Sequence, residues 1–356
     1  MRAIVFDGER LRLVDNMTVR DPGRGEVKVR VLRSGICHSD LNMVAGGAPG
    51  PVVLGHEAAG EISALGEGVE GFALGERVVV GTQTPCGHCR ECRRGTPANC
   101  DETWGIVPAT PFNWNGQPTY SFANVSSFAE EIVVRASQLY PIGDLPPEQA
   151  ALIGCAVSTG YAAARVLGEA GPEDRVVVIG VGGIGVNAIA GARLGGAEVF
   201  AVDLNPGKEA AAREAGASGF LVADRGMDAD AMAEAMRAAF APIDTVIECS
   251  GAPVAAEAAV AAAKRGGRAV LIGQTKPGAR VDLSLDTLTF GRGIVGQLNG
   301  GARPEVHYPE LVEHARCGRI DLAAQVTRVW PMAEFAEAIA ALEAGQVTRA
   351  VLDLTQ

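Results

Sequence analysis

At 356 residues the chain is long enough for about two domains with large buried cores, and 47% hydrophobic against 21% charged residues exclude a disordered, collagenous or coiled-coil protein. Its 31 basic and 42 acidic residues give a net charge of −11, which disfavours duplex DNA or an anionic membrane surface as the main partner. Eight clustered cysteines are too sparse for a secreted disulfide scaffold and point to metal ligation.

Apolar residues up to about Ile142 alternate or come in short runs broken by Gly and Pro (VKVRVL, EISAL, RVVVG, EEIVV), a pattern of strands and loops. Only four apolar residues separate Arg2 from Asp7, too few for the core of a signal peptide. The most apolar long stretch, 176–192, holds five glycines and Asn187 and is too short to span a bilayer, so a cytoplasmic chain is expected. From about Ser158 short apolar runs alternate with Ala-rich helical segments: VVVIG, a helix through Gly195, EVFAVD, KEAAAREAG, TVIECSG, VAAEAAVAAAKRG, RAVLIG. That alternation predicts βαβ repetition and a parallel, doubly wound sheet. After Gly296 two helical stretches, PELVEHARCG and MAEFAEAIAALEAG, precede a last strand, RAVLDL, so the parallel domain reads as an insertion into the β-rich one.

Gly180-Val181-Gly182-Gly183-Ile184-Gly185 is GxGxxG between the strand ending at Ile179 and a helix. Its glycines suit a tight turn and the approach of backbone N–H groups to a pyrophosphate, and Asp203 closes the next strand where a carboxylate accepts from a ribose. Asn205 and Pro206 follow Asp203 without an arginine, which favours NAD over its 2′-phosphorylated form.

Cys86, Cys89, Cys92 and Cys100 read C-x2-C-x2-C-x7-C, four thiolates that complete a closed, structural zinc shell. Arg90, Arg93 and Arg94 make this loop basic, but with no interleaved aromatics and no basic stripe elsewhere a nucleic-acid role is not expected. Cys37, His56 and Cys155 are also ligand types, yet they lie 19 and 99 residues apart and spacing alone cannot join them. Cys249 and Cys317 read as structural, and His88, His307 and His314 as surface residues.

GHEAAGEISALG, CHSD, the four-cysteine lobe and GVGGIG, in this order over nearly the whole chain, resemble the zinc-dependent medium-chain alcohol dehydrogenase family. The resemblance implies a β-rich, GroES-like catalytic domain (1–156 and 297–356) with an inserted Rossmann doubly wound parallel-sheet domain (157–296). It implies two zinc ions per chain, NAD as cofactor, and a homodimer paired through the edge at 293–298. Cys37, His56 and Cys155 would ligate the catalytic zinc, with Asp40 behind His56 and Glu57 near the metal as a supporting group or occasional ligand. Ser39 would take the alcohol proton. His38 and Arg349 would touch the pyrophosphate, Thr159 and Ile184 the nicotinamide, and Gly180, Gly182, Gly185, Asp203 and Lys208 the rest of the nucleotide. Where familiar members carry a relay histidine, this chain has Asn42, so proton release is expected to run through a ribose hydroxyl and water.

The resemblance also points to a substrate pocket at Thr82, Trp104, Phe122 and Ala123. Thr82 stands where an aromatic is frequent, so the pocket is expected to be wide. The apolar connection 101–128 has the length of a substrate lid, or equally of a packing or dimer-contact loop. No Lys or Arg occurs between Arg94 and Arg135, and Trp104 replaces the arginine of members that take the glutathione adduct of formaldehyde. The expected substrate is therefore a neutral, moderately bulky alcohol or its carbonyl partner. Two other readings share these motifs: an enzyme that keeps NAD permanently and uses an aldehyde or artificial acceptor, and a zinc-containing nucleotide-binding protein without turnover.

Overall fold

The computed structural model describes residues 1–46, 50–103, 109–276 and 278–356. Among them the chain divides into two compact units, Met1–Cys155 with Arg303–Gln356, and Ala156–Ala302.

In the first unit, strands Leu11–Val14, Ala3–Phe6, Val52–Val53, Gln117–Ser121, Phe112–Trp114 and Met17–Val19 form one sheet in that order. A second sheet runs Leu139–Pro141, Arg77–Val80, Glu57–Leu65, Glu26–Ile36, Arg349–Asp353, Val326–Pro331, with Glu131–Arg135 also on Glu26–Ile36. The C-terminal strand explains why the last segment rejoins the first. Arg349–Asp353 runs antiparallel to Glu26–Ile36 in the register Ala350↔Ile36 to Asp353↔Arg33 and is buried throughout. One core holds both sheets, with Ile4, Phe6, Met17, Ile62, Phe128 and Leu352 almost fully buried.

The connection expected as a lid does not form one from Ala109 onward. Phe112–Trp114 and Gln117–Ser121 make an antiparallel hairpin turned at Asn115-Gly116, both left-handed, and the hairpin pairs with Met17–Val19 and Val52–Val53. Phe112 enters the core and Trp114 Nε1 donates to Asn16 Oδ1 at 3.2 Å, so Phe112, Trp114 and Tyr120, which suggested a lid, are sheet residues.

The second unit is a parallel six-stranded sheet ordered Gly219–Val222, Glu198–Asp203, Arg175–Ile179, Thr245–Glu248, Arg268–Leu271, Gly293–Val295. Its central strands are continuous β-branched and apolar runs, as burial on both faces requires, and separate cores cover the two faces. The sequence pattern missed the strand Gly219–Val222 and the helix Ala229–Phe240. That helix carries a local signal: Asp228 accepts from Ala231 N–H as its N-cap, and Met232, Ala233, Met236 and Phe240 form its buried stripe.

Candidate functional site

Sheet register brings two of the distant ligand-type residues together. Gly35 pairs with Glu57 across the strands Glu26–Ile36 and Glu57–Leu65, and Cys37 and His56 each stand one residue beyond these strands. Gly35 leaves room for the Glu57 side chain, since a Cβ here would lie 2.2 Å from Glu57 Oε2 and 3.0 Å from its Cβ. The turn Ala151–Gly154 delivers Cys155. Gly154 approaches so closely that a Cβ would meet Val80 O at 2.8 Å, and its carbonyl accepts from the buried Tyr308 hydroxyl at 2.9 Å. Ligand-type atoms of Cys37, His56, Glu57 and Cys155 thus lie within 4.8 Å of one another.

Asp40, buried in the first turn of the helix His38–Ala45, ties these segments. Its Oδ2 accepts from Cys37 N–H at 3.0 Å, while Oδ1 accepts from Gly55 N–H at 2.9 Å and from His56 Nδ1 at 3.1 Å. A proton on Nδ1 leaves Nε2 free to ligate. Burial would push His56 down, but Asp40 and Cys37 outweigh it and raise it well above its usual value. The hydrogen bond from Cys155 drives Cys37 well below the ordinary thiol value, and the same bond, with burial, raises Cys155. Burial lifts Glu57 to about 7 against the opposing field of Arg349. Thiols and imidazole sharing protons at this distance, beside carboxylate oxygens that make no hydrogen bond, are the chemistry of a set that would give its protons up to a divalent cation. Two sulfurs and one imidazole nitrogen fit zinc with a coordination position left for substrate.

Ser39 Oγ lies 3.5 Å from Cys37 Sγ, whereas Asn42 is exposed. The Phe122 ring meets His56 edge-on at 5.5 Å and 81° and is 5% exposed, so it braces the imidazole as well as bordering the site. Thr82 and Ala123 are partly buried in neighbouring segments, and Trp104 lies outside the described residues. Arg349, expected on a pyrophosphate, is 4% exposed with Nη1 3.5 Å from Glu57 Oε1, and His38 is exposed at its helix start.

The sulfurs of Cys86, Cys89, Cys92 and Cys100 form a second cluster within 4.8 Å. Backbone N–H groups aim at it: Cys86 N–H at Cys100 Sγ, Cys89 N–H at Cys86 Sγ and Cys92 N–H at Cys89 Sγ, at 3.4, 3.3 and 3.4 Å. Such donors stabilise thiolates, and four thiolates fit a closed zinc shell. His88 and Glu102 border this loop with Nε2–Oε1 at 2.7 Å. Contrary to the surface reading, His307 is 7% exposed and its Nδ1 accepts from Arg303 N–H at 2.9 Å. Cys317 is exposed and Cys249 partly buried.

In the parallel unit, Gly180 has φ +89°, and a Cβ on Gly185 would lie 1.8 Å from Gly180 O, so both positions demand glycine. A Cβ on Gly182 would meet nothing within 4 Å, which leaves open backbone at the start of the helix Gly183–Leu194, as a pyrophosphate cradle needs. Asp203 Oδ2 accepts from Val181 N–H at 2.7 Å and Oδ1 from Asn205 N–H at 2.9 Å. A cavity of about 400 Å³ is lined by Gly180, Asp203, Leu204, Arg225, Met227 and Ser250, among others. Thr159 is buried, Ile184 and Lys208 partly so.

Sequence reasoning missed two residues of that cavity's surroundings. Arg225 places a cation in the same cavity as Asp203, in the turn after the strand Gly219–Val222 that the pattern did not reveal. Glu248 accepts from Ser250 N–H at 2.6 Å and Gly251 N–H at 2.9 Å, shaping the turn that lines the cavity.

Residues 23–144 match the family described as alcohol dehydrogenase GroES-like domain, and residues 183–314 match the zinc-binding dehydrogenase family. The chain is 33% identical to an S-(hydroxymethyl)glutathione dehydrogenase of Escherichia coli strain SMS-3-5, over 98% of both chains. A zinc-binding-domain alcohol dehydrogenase protein from Burkholderia ambifaria has a similar structure (TM-score 0.91, 28% identity, 99% of this chain and 98% of that one). So has benzyl alcohol dehydrogenase from Acinetobacter calcoaceticus (TM-score 0.89, 25% identity, 99% of each chain).

Proposed function

The chain belongs to the zinc-dependent medium-chain alcohol dehydrogenase family, and from that premise we propose that it is an enzyme transferring a hydride between NAD and a neutral, moderately bulky alcohol/aldehyde or alcohol/ketone pair. The observation that carries this reading is the meeting of Cys37, His56 and Cys155 from three distant segments, a donor set suited to an open zinc site. Bound there, zinc supplies Lewis acidity that lowers the pKa of an alcohol oxygen, and NAD supplies the hydride acceptor. Asp40 holds His56 in its ligating tautomer, Phe122 braces the ring, and Ser39 takes the alcohol proton. Asn42 cannot serve as a base, so the next proton acceptor is a hydroxyl or water.

Met1–Cys155 with Arg303–Gln356 is read as the catalytic unit and Ala156–Ala302 as the nucleotide carrier. The four-cysteine lobe is read as a second, structural zinc site. A homodimer is supported by the exposed edge strand Gly293–Val295, beside which Leu285, Phe290 and Leu298 are also exposed. Light scattering at micromolar concentration should give a dimer; a monomer or tetramer overturns that assignment. Among the described residues no single helix is long and apolar enough to cross a membrane, and a cytoplasmic location is proposed.

Two kinetic experiments test the activity. The first follows NAD reduction with ethanol, hexanol, benzyl alcohol, cyclohexanol and S-hydroxymethylglutathione. The relative in E. coli is named for the last of these, but 95–134 of this chain contains no cation to hold its carboxylates. Benzyl alcohol or another bulky neutral alcohol should have the highest kcat/KM; the glutathione adduct in first place refutes the charge argument, and no turnover refutes the activity. The second compares NAD with NADP. Asp203 predicts at least about a hundredfold preference for NAD, from like charge costing on the order of several kcal/mol. Comparable kcat/KM values would show that Asp203 points elsewhere.

A further inference from the structure

Residues 122–126 are unusual backbone. Ala123, Asn124 and Ser126 have φ of +50°, +60° and +61°, a left-handed cluster in which only Asn is a residue type with any preference for that region. Left-handed residues other than glycine persist where surrounding structure over-determines them, and here it does. Ser126 Oγ accepts from Phe122 N–H at 2.8 Å and lies 3.0 Å from Ser121 Oγ, while Ser127 N–H and Phe128 N–H donate to Gly55 and Leu54 carbonyls at 2.9 and 3.0 Å.

Two amide side chains link this segment to 81–82. Asn124 Nδ2 donates to Thr82 O at 3.1 Å. Gln138, 1% exposed, donates from Nε2 to both Gly81 O at 2.7 Å and Asn124 O at 3.0 Å, while its Oε1 accepts from Arg135 N–H at 3.0 Å. The Gln138 carbonyl in turn accepts from Gly81 N–H at 2.8 Å. The Nε2 donors of one buried amide are therefore shared between the two segments that carry Thr82 on one side and Phe122 and Ala123 on the other.

We propose that Asn124 and Gln138 are positioning residues that set the width of the substrate pocket, by fixing the distance between its Thr82 wall and its Phe122–Ala123 wall. This rests on the reading of Thr82, Phe122 and Ala123 as pocket lining. Neither amide touches the reacting atoms. Their effect is on selectivity: a pocket whose walls cannot part accepts alcohols of one bulk and gains least from small ones that fail to fill it.

The test uses full-length holoenzyme carrying Asn124→Asp, which keeps the side-chain shape and its tolerance of positive φ but removes the donor to Thr82, and separately Gln138→Met, which at similar volume removes both donors together with the acceptor of Arg135 N–H. The ratio of kcat/KM for benzyl alcohol over ethanol should fall about tenfold in each, mainly through KM for benzyl alcohol, with zinc content unchanged. Hydrogen–deuterium exchange should rise at 81–84 and 121–127. Faster exchange with a ratio within twofold of the parent overturns the proposal, because the bridge is then packing alone. If both variants leave exchange and ratio unchanged, the bridge does not hold the walls, and the proposal is equally overturned. If the unaltered enzyme turns over no alcohol, the functional reading itself has failed and the proposal falls with it; if it turns over alcohols but a variant does not fold, the other decides.

Discussion

The two cysteine clusters reach similar compactness by opposite routes. The lobe draws all four sulfurs from 86–100 and aims N–H groups of the same short segment at them, with Asp101, Glu102 and Thr103 just beyond it supplying further donors. The other cluster draws Cys37, His56 and Cys155 from three parts of the chain and depends on sheet register, on Asp40, and on a tyrosine that follows the inserted unit. The difference teaches where each is vulnerable. A self-contained cluster fails as a piece of folding, and an assembled one fails first as a piece of geometry.

Breaking the lobe should have the largest effect. Structural zinc sites contribute about 10–16 kcal/mol of apparent binding free energy, so Cys89→Ser should lose one zinc per chain and unfold or aggregate the lobe, as elemental analysis and thermal unfolding would show. A folded, fully active variant would contradict a structural role, as would a fully active parent enzyme that contains no more than one zinc. Cys37→Ser tests the other side of the comparison. Turnover should fall at least about a thousandfold, since Lewis-acid stabilisation supplies several kcal/mol, while the midpoint of unfolding stays near that of the parent.

Asp40→Asn sharpens the comparison by removing the link instead of a ligand. The Asn side chain keeps one acceptor but loses the charge that orients His56, and supporting groups of this kind are worth about 10- to 100-fold in metal affinity or activity. Zinc retention against a chelator should drop from two ions to one, with the lobe's ion kept. Equal loss of both ions would show that the clusters are not independent. Tyr308→Phe should have the smallest effect. It leaves the Gly154 carbonyl without its buried hydroxyl partner, at a cost of about 1–3 kcal/mol in urea unfolding, and moves Cys155 only indirectly. A variant as stable as the parent would remove Tyr308 from the set of residues that place the turn.

How much was legible follows the same division. C-x2-C-x2-C-x7-C and GxGxxG could be read because each is a local object whose geometry is decided within a few residues. The βαβ alternation was legible for the same reason, although the short strand Gly219–Val222 and its following helix escaped, and Arg225 with them. Within the connection 101–128, the part from Ala109 onward misled because apolar residues in a long loop and apolar residues in a hairpin look alike until a partner strand is known.

By itself the sequence determined which segments are strands or helices over most of the chain, the four-cysteine set and the dinucleotide turn, since these rest on periodicity and on contacts between near neighbours. Joining Cys37, His56 and Cys155 took a family resemblance at that stage, and only the tertiary structure supplied the physical cause. The pairing of Gly35 with Glu57 sets two ligand-type residues side by side, and a buried aspartate and a tyrosine 153 positions beyond Cys155 hold the rest. The amides of Asn124 and Gln138 were invisible for the same reason. A hydrogen bond between residues 42 or 57 positions apart leaves no periodic trace in a sequence, because its partners are chosen by how sheets stack and not by what lies next along the chain.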